Sequence, residues 1–153
     1  MIKQHDIQEL FNEYKKEYPE ELMHTRLVFT NGVKQLGYFQ RKATYWGKQL
    51  TIGISNHILK NEDEAIDTLL HEIAHNIDFV RRGRTDHSMQ WKRVAVEVGA
   101  KPNRVAEIKL DVKYKYELYC PKCQRVIARK HRLRYSGYLH STCKTQVEVR
   151  KLY

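Results

Sequence analysis

Long apolar runs are missing from this chain: no stretch of hydrophobic residues exceeds three. No segment is therefore fit to span a bilayer as a helix, and the start Met1-Ile2-Lys3-Gln4-His5-Asp6 lacks the apolar core of a secretory signal. The expectation is a cytoplasmic protein without a membrane partner. Cysteine is scarce and odd in number, with 3 in 153 residues. Two of them form Cys120-Pro121-Lys122-Cys123, which argues against a disulfide framework and for metal ligation in a reducing compartment. With 7 glycines and 3 prolines there is no collagen-like repeat and no Gly/Ser linker. Acidic residues are short in one place only. Residues 1–100 hold 14 Lys+Arg against 14 Asp+Glu, whereas 101–153 hold 14 against 4, so the whole net charge of +10 lies in the last third. A neutral body with a polyanion-binding tail fits that asymmetry.

What is present fits one ordinary domain with a small appendage: 18.3 kDa, 41% hydrophobic and 30% charged residues, close to a globular composition. Ile7, Leu10, Phe11 and Tyr14 recur at helical spacing, and Pro19 closes that segment. Leu27 to Thr30, Leu36 to Gln40 and Gln49 to Ile54 are β-rich, punctuated by Asn31-Gly32 and Gly47, and predict two or three strands. From Asn61, a candidate N-cap with Glu64 three residues on, the positions Ile66, Leu69, Leu70, Ile73, Ile77 and Val80 keep helical spacing to Gly83. A further helix is predicted from about His87 to Glu97, stopped by Gly99, and Lys101-Pro102 begins a connector. In the tail, Val112, Tyr114, Tyr116 and Leu118, and then Val147 and Val149, alternate with polar residues as strands do.

Chemistry concentrates on the long helix. His71-Glu72-Ile73-Ala74-His75 sets two imidazoles one turn apart, about 40° around the axis, where both can reach one metal ion. Both point away from the apolar stripe. Glu72, at the next position, falls beside a water on that ion rather than on the ion itself, the place of a general base. A catalytic zinc takes three protein ligands and keeps one open position. The third ligand must come from elsewhere: His87 leads, 12 residues after His75 and beyond the basic turn Arg81-Arg82-Gly83-Arg84, with Glu97 a rival and Asp86 a weaker one. Asp78, on the polar side, is expected to support the site or pair with a nearby arginine.

In the tail, Cys120-x-x-Cys123 and His140-x-x-Cys143 have zinc-ribbon spacing, with His131 a second choice for the fourth ligand. Between the pairs lie Arg125, Arg129, Lys130, Arg132, Arg134, Tyr135 and Tyr138. Cations that neutralise phosphates, interleaved with rings that stack on bases, suit single-stranded or distorted DNA bound without sequence preference.

These residues carry a family resemblance. Asp67 to His75, His87-Ser88-Met89-Gln90-Trp91-Lys92 with Gly99, and the two tail pairs are similar to the SprT-like metalloprotease family. Two positions differ from its pattern: Ser88 stands where glycine is frequent, and His140 where cysteine is usual. The resemblance implies an α+β fold: a zincin-like protease core, helices packed on a small sheet around the HExxH helix, with a C-terminal β zinc ribbon. It also implies a catalytic zinc on His71, His75 and His87, Glu72 as base, and a second, structural zinc on Cys120, Cys123, His140 and Cys143. Some members of the family cleave proteins bound or crosslinked to DNA.

The expectation is thus a metalloprotease domain over 1–110 and a basic ribbon over 111–153. It would hydrolyse DNA-associated proteins, in the cytoplasm or, with DNA as partner, at the nucleoid or in the nucleus. The alternatives are a non-catalytic zinc- and nucleic-acid-binding accessory protein, and a peptidase of free proteins whose tail only stabilises it.

Overall fold

The computed structural model describes residues 1–102 and 113–153 of the chain. It divides into two compact units, Met1–Leu110 and Asp111–Tyr153. Val112, expected to open a strand, lies outside the described residues. Among those described, no helix is long and apolar enough to cross a membrane.

The first unit begins with α1 (Gln4–Glu17), whose first turn is closed by the Lys3 N–H donating to the Asp6 carboxylate at 2.9 Å. As expected, α1 stops just before Pro19, with Tyr18 out of the helical region at φ −121° and ψ 61°, and Pro19 then takes the first position of a short second helix, α2 (Pro19–Leu22), where its missing N–H is harmless. Three strands follow, β1 (Thr25–Thr30), β2 (Gly37–Thr44) and β3 (Gly47–Ser55). The sheet has the order β1-β3-β2, with β1 parallel and β2 antiparallel to the central β3. A 3-10 turn, Asn56–Lys60, leads into α3 (Glu62–Arg82), and α4 (Met89–Val98) completes the unit.

Helix α3 starts and stops where its sequence predicts. The Asn61 side chain accepts the Glu64 N–H, three acids occupy the first turn and two arginines the last, and Gly83 takes the left-handed conformation at φ 74°. Its environment differs from a surface helix with a single apolar stripe. Leu69, Ile73 and Ile77 pack with Ile52 and Ile54 of β3, but Thr68, Glu72, Asn76 and Asp78 are buried too, while Val80 is exposed. Asn76 tolerates full burial because both ends of its amide are used: Thr25 donates to Oδ1 at 2.8 Å, and Nδ2 donates to the Glu21 carbonyl at 2.8 Å. The helix is thereby tied to β1 and α2, and α4 packs along it.

The second unit is a three-stranded antiparallel sheet in the order β5-β4-β8, from β4 (Tyr116–Cys120), β5 (Arg125–Lys130) and β8 (Glu148–Lys151). A two-residue ladder joins β6 (Leu139–His140) to β7 (Thr145–Gln146). Its buried hydrophobic residues among those described are Leu118, Cys120 and Val147. Of the alternating positions expected to form a strand, Tyr116 and Leu118 lie in β4, while Tyr114 precedes it and stacks on His131 at 4.8 Å; both tyrosines are half-buried.

Candidate functional site

The lower half of α3, the loop after it and the start of α4 bring three imidazoles together. The Nε2 atoms of His71, His75 and His87 lie 3.2, 3.0 and 3.2 Å apart in the three pairings. An Nε2 either carries a proton or offers a lone pair, so three mutual contacts cannot all be hydrogen bonds. A cation accepting all three lone pairs removes that conflict. The edges of a tetrahedron with zinc–nitrogen bonds of about 2.0–2.1 Å are about 3.3 Å long, close to the spacing found. Burial and the neighbouring rings hold His75 down to about 4, and burial with the nearby His87 also lowers His71, so both are neutral and able to ligate. These three residues could hold a metal ion.

The rivals for the third position are occupied elsewhere. The Glu97 carboxylate takes both terminal nitrogens of Arg81 at 3.1 Å, and Arg81 Nε reaches Glu21 at 3.1 Å. Asp86 instead fastens the loop. Arg82 donates from Nε and Nη2 to the buried Asp78 at 2.6 and 2.5 Å and from Nη2 to Asp86 at 2.8 Å, and Asp86 accepts the Ser88 N–H at 3.1 Å. Hydrogen bonds from Ser88 and Arg82 hold Asp86 at about 2, so this strap stays charged across neutral pH. It brackets His87 on both sides in sequence. Ser88 then caps α4 through the Trp91 N–H. Arg82→Ala should therefore loosen His87 and lower zinc affinity at this site by roughly tenfold to a hundredfold, with Arg82→Lys intermediate. Competition with a chromophoric chelator measures it.

Sequence reasoning missed three residues here. Trp91, 1% exposed, lies against all three histidines with ring centroids 4.6–4.9 Å away. Among the described residues its buried Nε1 has no hydrogen-bond partner. Arg82 is the second: the sequence points to an arginine partner for Asp78, but not to the same side chain also binding Asp86 and so fastening the His87 loop. The third is Gly37, at the start of β2: a Cβ there would collide with Thr68 Cγ2 and come within 3.2 Å of Glu72 Oε1. Only a hydrogen lets the strand run this close to the Glu72 carboxylate. Glu72 is 8% exposed, and burial pushes it up to about 7. A carboxylate poised near neutrality suits proton transfer.

In the second unit, Cys120, Cys123, His140 and Cys143 place one ligand atom each within 4.8 Å of one another. His140 Nδ1 is 3.7 Å from Cys123 Sγ, whereas His131 is engaged with Tyr114. The two pairs close alike: Gln124 and Lys144, each directly after a cysteine, have φ of 55° and 49°. These are the positive-φ residues other than glycine among those described, and nothing in their side chains announces it. N–H groups of Cys123 and Lys122 lower the Cys120 thiol, while burial and the other two sulfurs raise Cys143. A group of thiols that oppose one another's ionisation is relieved by a cation, so this cluster too could hold zinc.

The predicted nucleic-acid residues are arranged unevenly. Arg125, Arg132, Arg134 and Tyr135 are exposed. Arg129 is paired with Glu117 at 3.3 Å, and Lys130 lies over the Tyr138 ring, whose hydroxyl accepts the Arg134 N–H at 2.9 Å. Tyr135 and Tyr138 meet edge to face at 5.7 Å.

No curated protein matches the chain. A family model does: the one described as SprT-like family matches residues 7–113, a span that holds the three histidines, Glu72 and the whole sheet of the first unit. The match covers over two thirds of the sequence, and the chain belongs to the SprT-like family, which is associated with zinc metalloprotease-like activity.

Proposed function

We propose that this protein is a zinc metalloendopeptidase of the HExxH type, with a zincin-like core, that acts on DNA-associated proteins. The observation that carries the reading is the triangle of His71, His75 and His87 Nε2 atoms at 3.0–3.2 Å, with the buried Glu72 on the same helix. Zinc, when bound there, polarises the scissile carbonyl and makes water a nucleophile near neutral pH. Glu72 would be the group that takes a proton from a water at that site and returns it to the leaving amine. Gly37 lets β2 lie against Glu72, so a substrate near this strand is positioned close to the base. Trp91 walls off one side of the three imidazoles and keeps bulk water from competing for them.

The second unit, proposed as a zinc ribbon held by Cys120, Cys123, His140 and Cys143, would supply the DNA contact. Its exposed Arg125, Arg132 and Arg134 with Tyr135 support a sequence-independent hold on phosphates and unpaired bases. Arg129, already paired with Glu117, contributes less. The test is cleavage of a DNA-binding protein with and without single-stranded DNA across a salt series. Cleavage should be stimulated by DNA, and the stimulation should fade as salt rises through physiological strength. Cleavage that ignores both DNA and salt would instead support a peptidase of free proteins. The non-catalytic alternative is disfavoured by Glu72, because a purely structural site gains nothing from a buried, unpaired-charge carboxylate beside it.

A further inference from the structure

The β2–β3 hairpin turns through Tyr45 and Trp46, and these two side chains are 93% and 92% exposed. The turn itself does not call for them. Neither residue has a positive φ, and the conformational demand falls on Gly47 at φ 119°, beside which there is open space. Thr44 closes the loop by donating its hydroxyl to the Gly47 carbonyl at 2.6 Å. Small polar residues at the tip would fold this hairpin as well, without exposing two large aromatic rings to water. The rings meet edge to face at 5.1 Å, which leaves ring faces open to solvent.

Charge around the tip has one sign. Residues 37–51 contain Arg41, Lys42 and Lys48 and no acid. Lys42 is exposed on one face of the hairpin, while Arg41 and Lys48 lie on the other, over the Phe79 ring at 5.0 and 5.9 Å. Open aromatic faces with cations on both sides of the ribbon fit a polyanion that itself presents flat rings. An anionic membrane is the weaker match, because the tip is only two residues wide and is flanked by Lys42, Ala43, Thr44, Lys48 and Gln49 rather than by aliphatic side chains.

We propose that this hairpin tip is a stacking site for unpaired nucleic-acid bases, carried by the first unit. It shares the class of partner with the proposed function and does not depend on peptidase activity or on the second unit's arginines.

The chain has 2 tryptophans, and they differ sharply: Trp46 is 92% exposed and Trp91 is 1% exposed. The long-wavelength emission therefore reports the tip. Titrating the zinc-loaded full chain with an oligothymidylate of about 20 nucleotides should quench that emission. The quenching should vanish in Trp46→Leu, and the double variant Tyr45→Ala/Trp46→Ala should bind roughly tenfold to a hundredfold more weakly by anisotropy, since each stacked base is worth about 1–3 kcal/mol. Far-ultraviolet circular dichroism and zinc content should be unchanged in these surface variants. Unquenched emission, or equal affinity in the double variant, overturns the proposal. So does a blue shift on phosphatidylglycerol vesicles with no response to the oligonucleotide, which would make the partner a membrane. Arg132→Glu/Arg134→Glu separates the two readings. If it leaves affinity and quenching intact, the DNA role of the second unit fails while the hairpin stands; if quenching persists at reduced affinity, both hold.

Discussion

Glu72→Gln should lower peptide cleavage by on the order of a thousandfold while leaving zinc bound at both clusters, because general-base catalysis is worth about 10²–10⁴-fold and the amide offers no proton acceptor of comparable strength. Single-turnover cleavage of an unfolded protein, alongside elemental analysis, reads both halves of the expectation. The same substitution has a second consequence in the metal-free protein. Burial raises the Glu72 carboxyl from 4.5 to about 7, so between those values the folded state keeps a proton that the unfolded state has released. Stability attributable to this group therefore falls as pH rises through that window, and above it the charged side chain costs the full amount, about 3 kcal/mol for a shift of this size. Gln cannot ionise. Metal-free Glu72→Gln should be more stable than the parent at about pH 8 by up to that amount, and the gap should close as pH falls to the ordinary carboxylate range. His75 and His71, shifted downwards, act in the opposite direction in both proteins and cancel from the difference. Thermal melts of both metal-free proteins across pH measure it; a gap that does not change with pH would mean that Glu72 is not held protonated by burial.

The second large effect is expected at Cys120. Among the described residues of its unit only Leu118, Cys120 and Val147 are buried hydrophobics, too little apolar burial to offset the ordering of some forty residues. A structural zinc typically contributes on the order of 10 kcal/mol or more to such a unit. Cys120→Ser should therefore unfold β4, β5 and β8 and halve the zinc content, from two ions per chain to one, while the first unit keeps its cooperative transition. Amide exchange should lose protection on those strands alone. Because Gln124 and Lys144 hold left-handed backbone conformations, the empty cluster has strain to release as well as a ligand to lose. A second unit that stays protected without metal would refute the staple.

Much of the site was legible because it is local. His71, Glu72 and His75 are neighbours on one helical turn, so their spacing alone places them, and Asn61 and Gly83 mark the helix ends through backbone chemistry confined to a few residues. The Cys120 and Cys123 spacing is likewise a short-range geometric fact. Other features were hidden because they join distant segments. The choice among His87, Glu97 and Asp86 turned on Arg81 claiming Glu97 and Arg82 claiming Asp86. The choice between His140 and His131 turned on which imidazole the fold brings among the three sulfurs, and that is His140.

What the sequence determined by itself was the helix with its chelating pair, the cysteine pairs and the one-sided charge of the tail, since each depends on periodicity, spacing or composition along a continuous stretch. The tertiary structure alone decided which third side chain joins the pair, that α3 is enclosed on most sides, that Trp91 lies under the imidazoles and that Gly37 brings β2 against Glu72. Those outcomes rest on long-range packing and on competition among charged partners, and the carboxylate's shift to about 7 follows from burial, which exists only once the chain has folded.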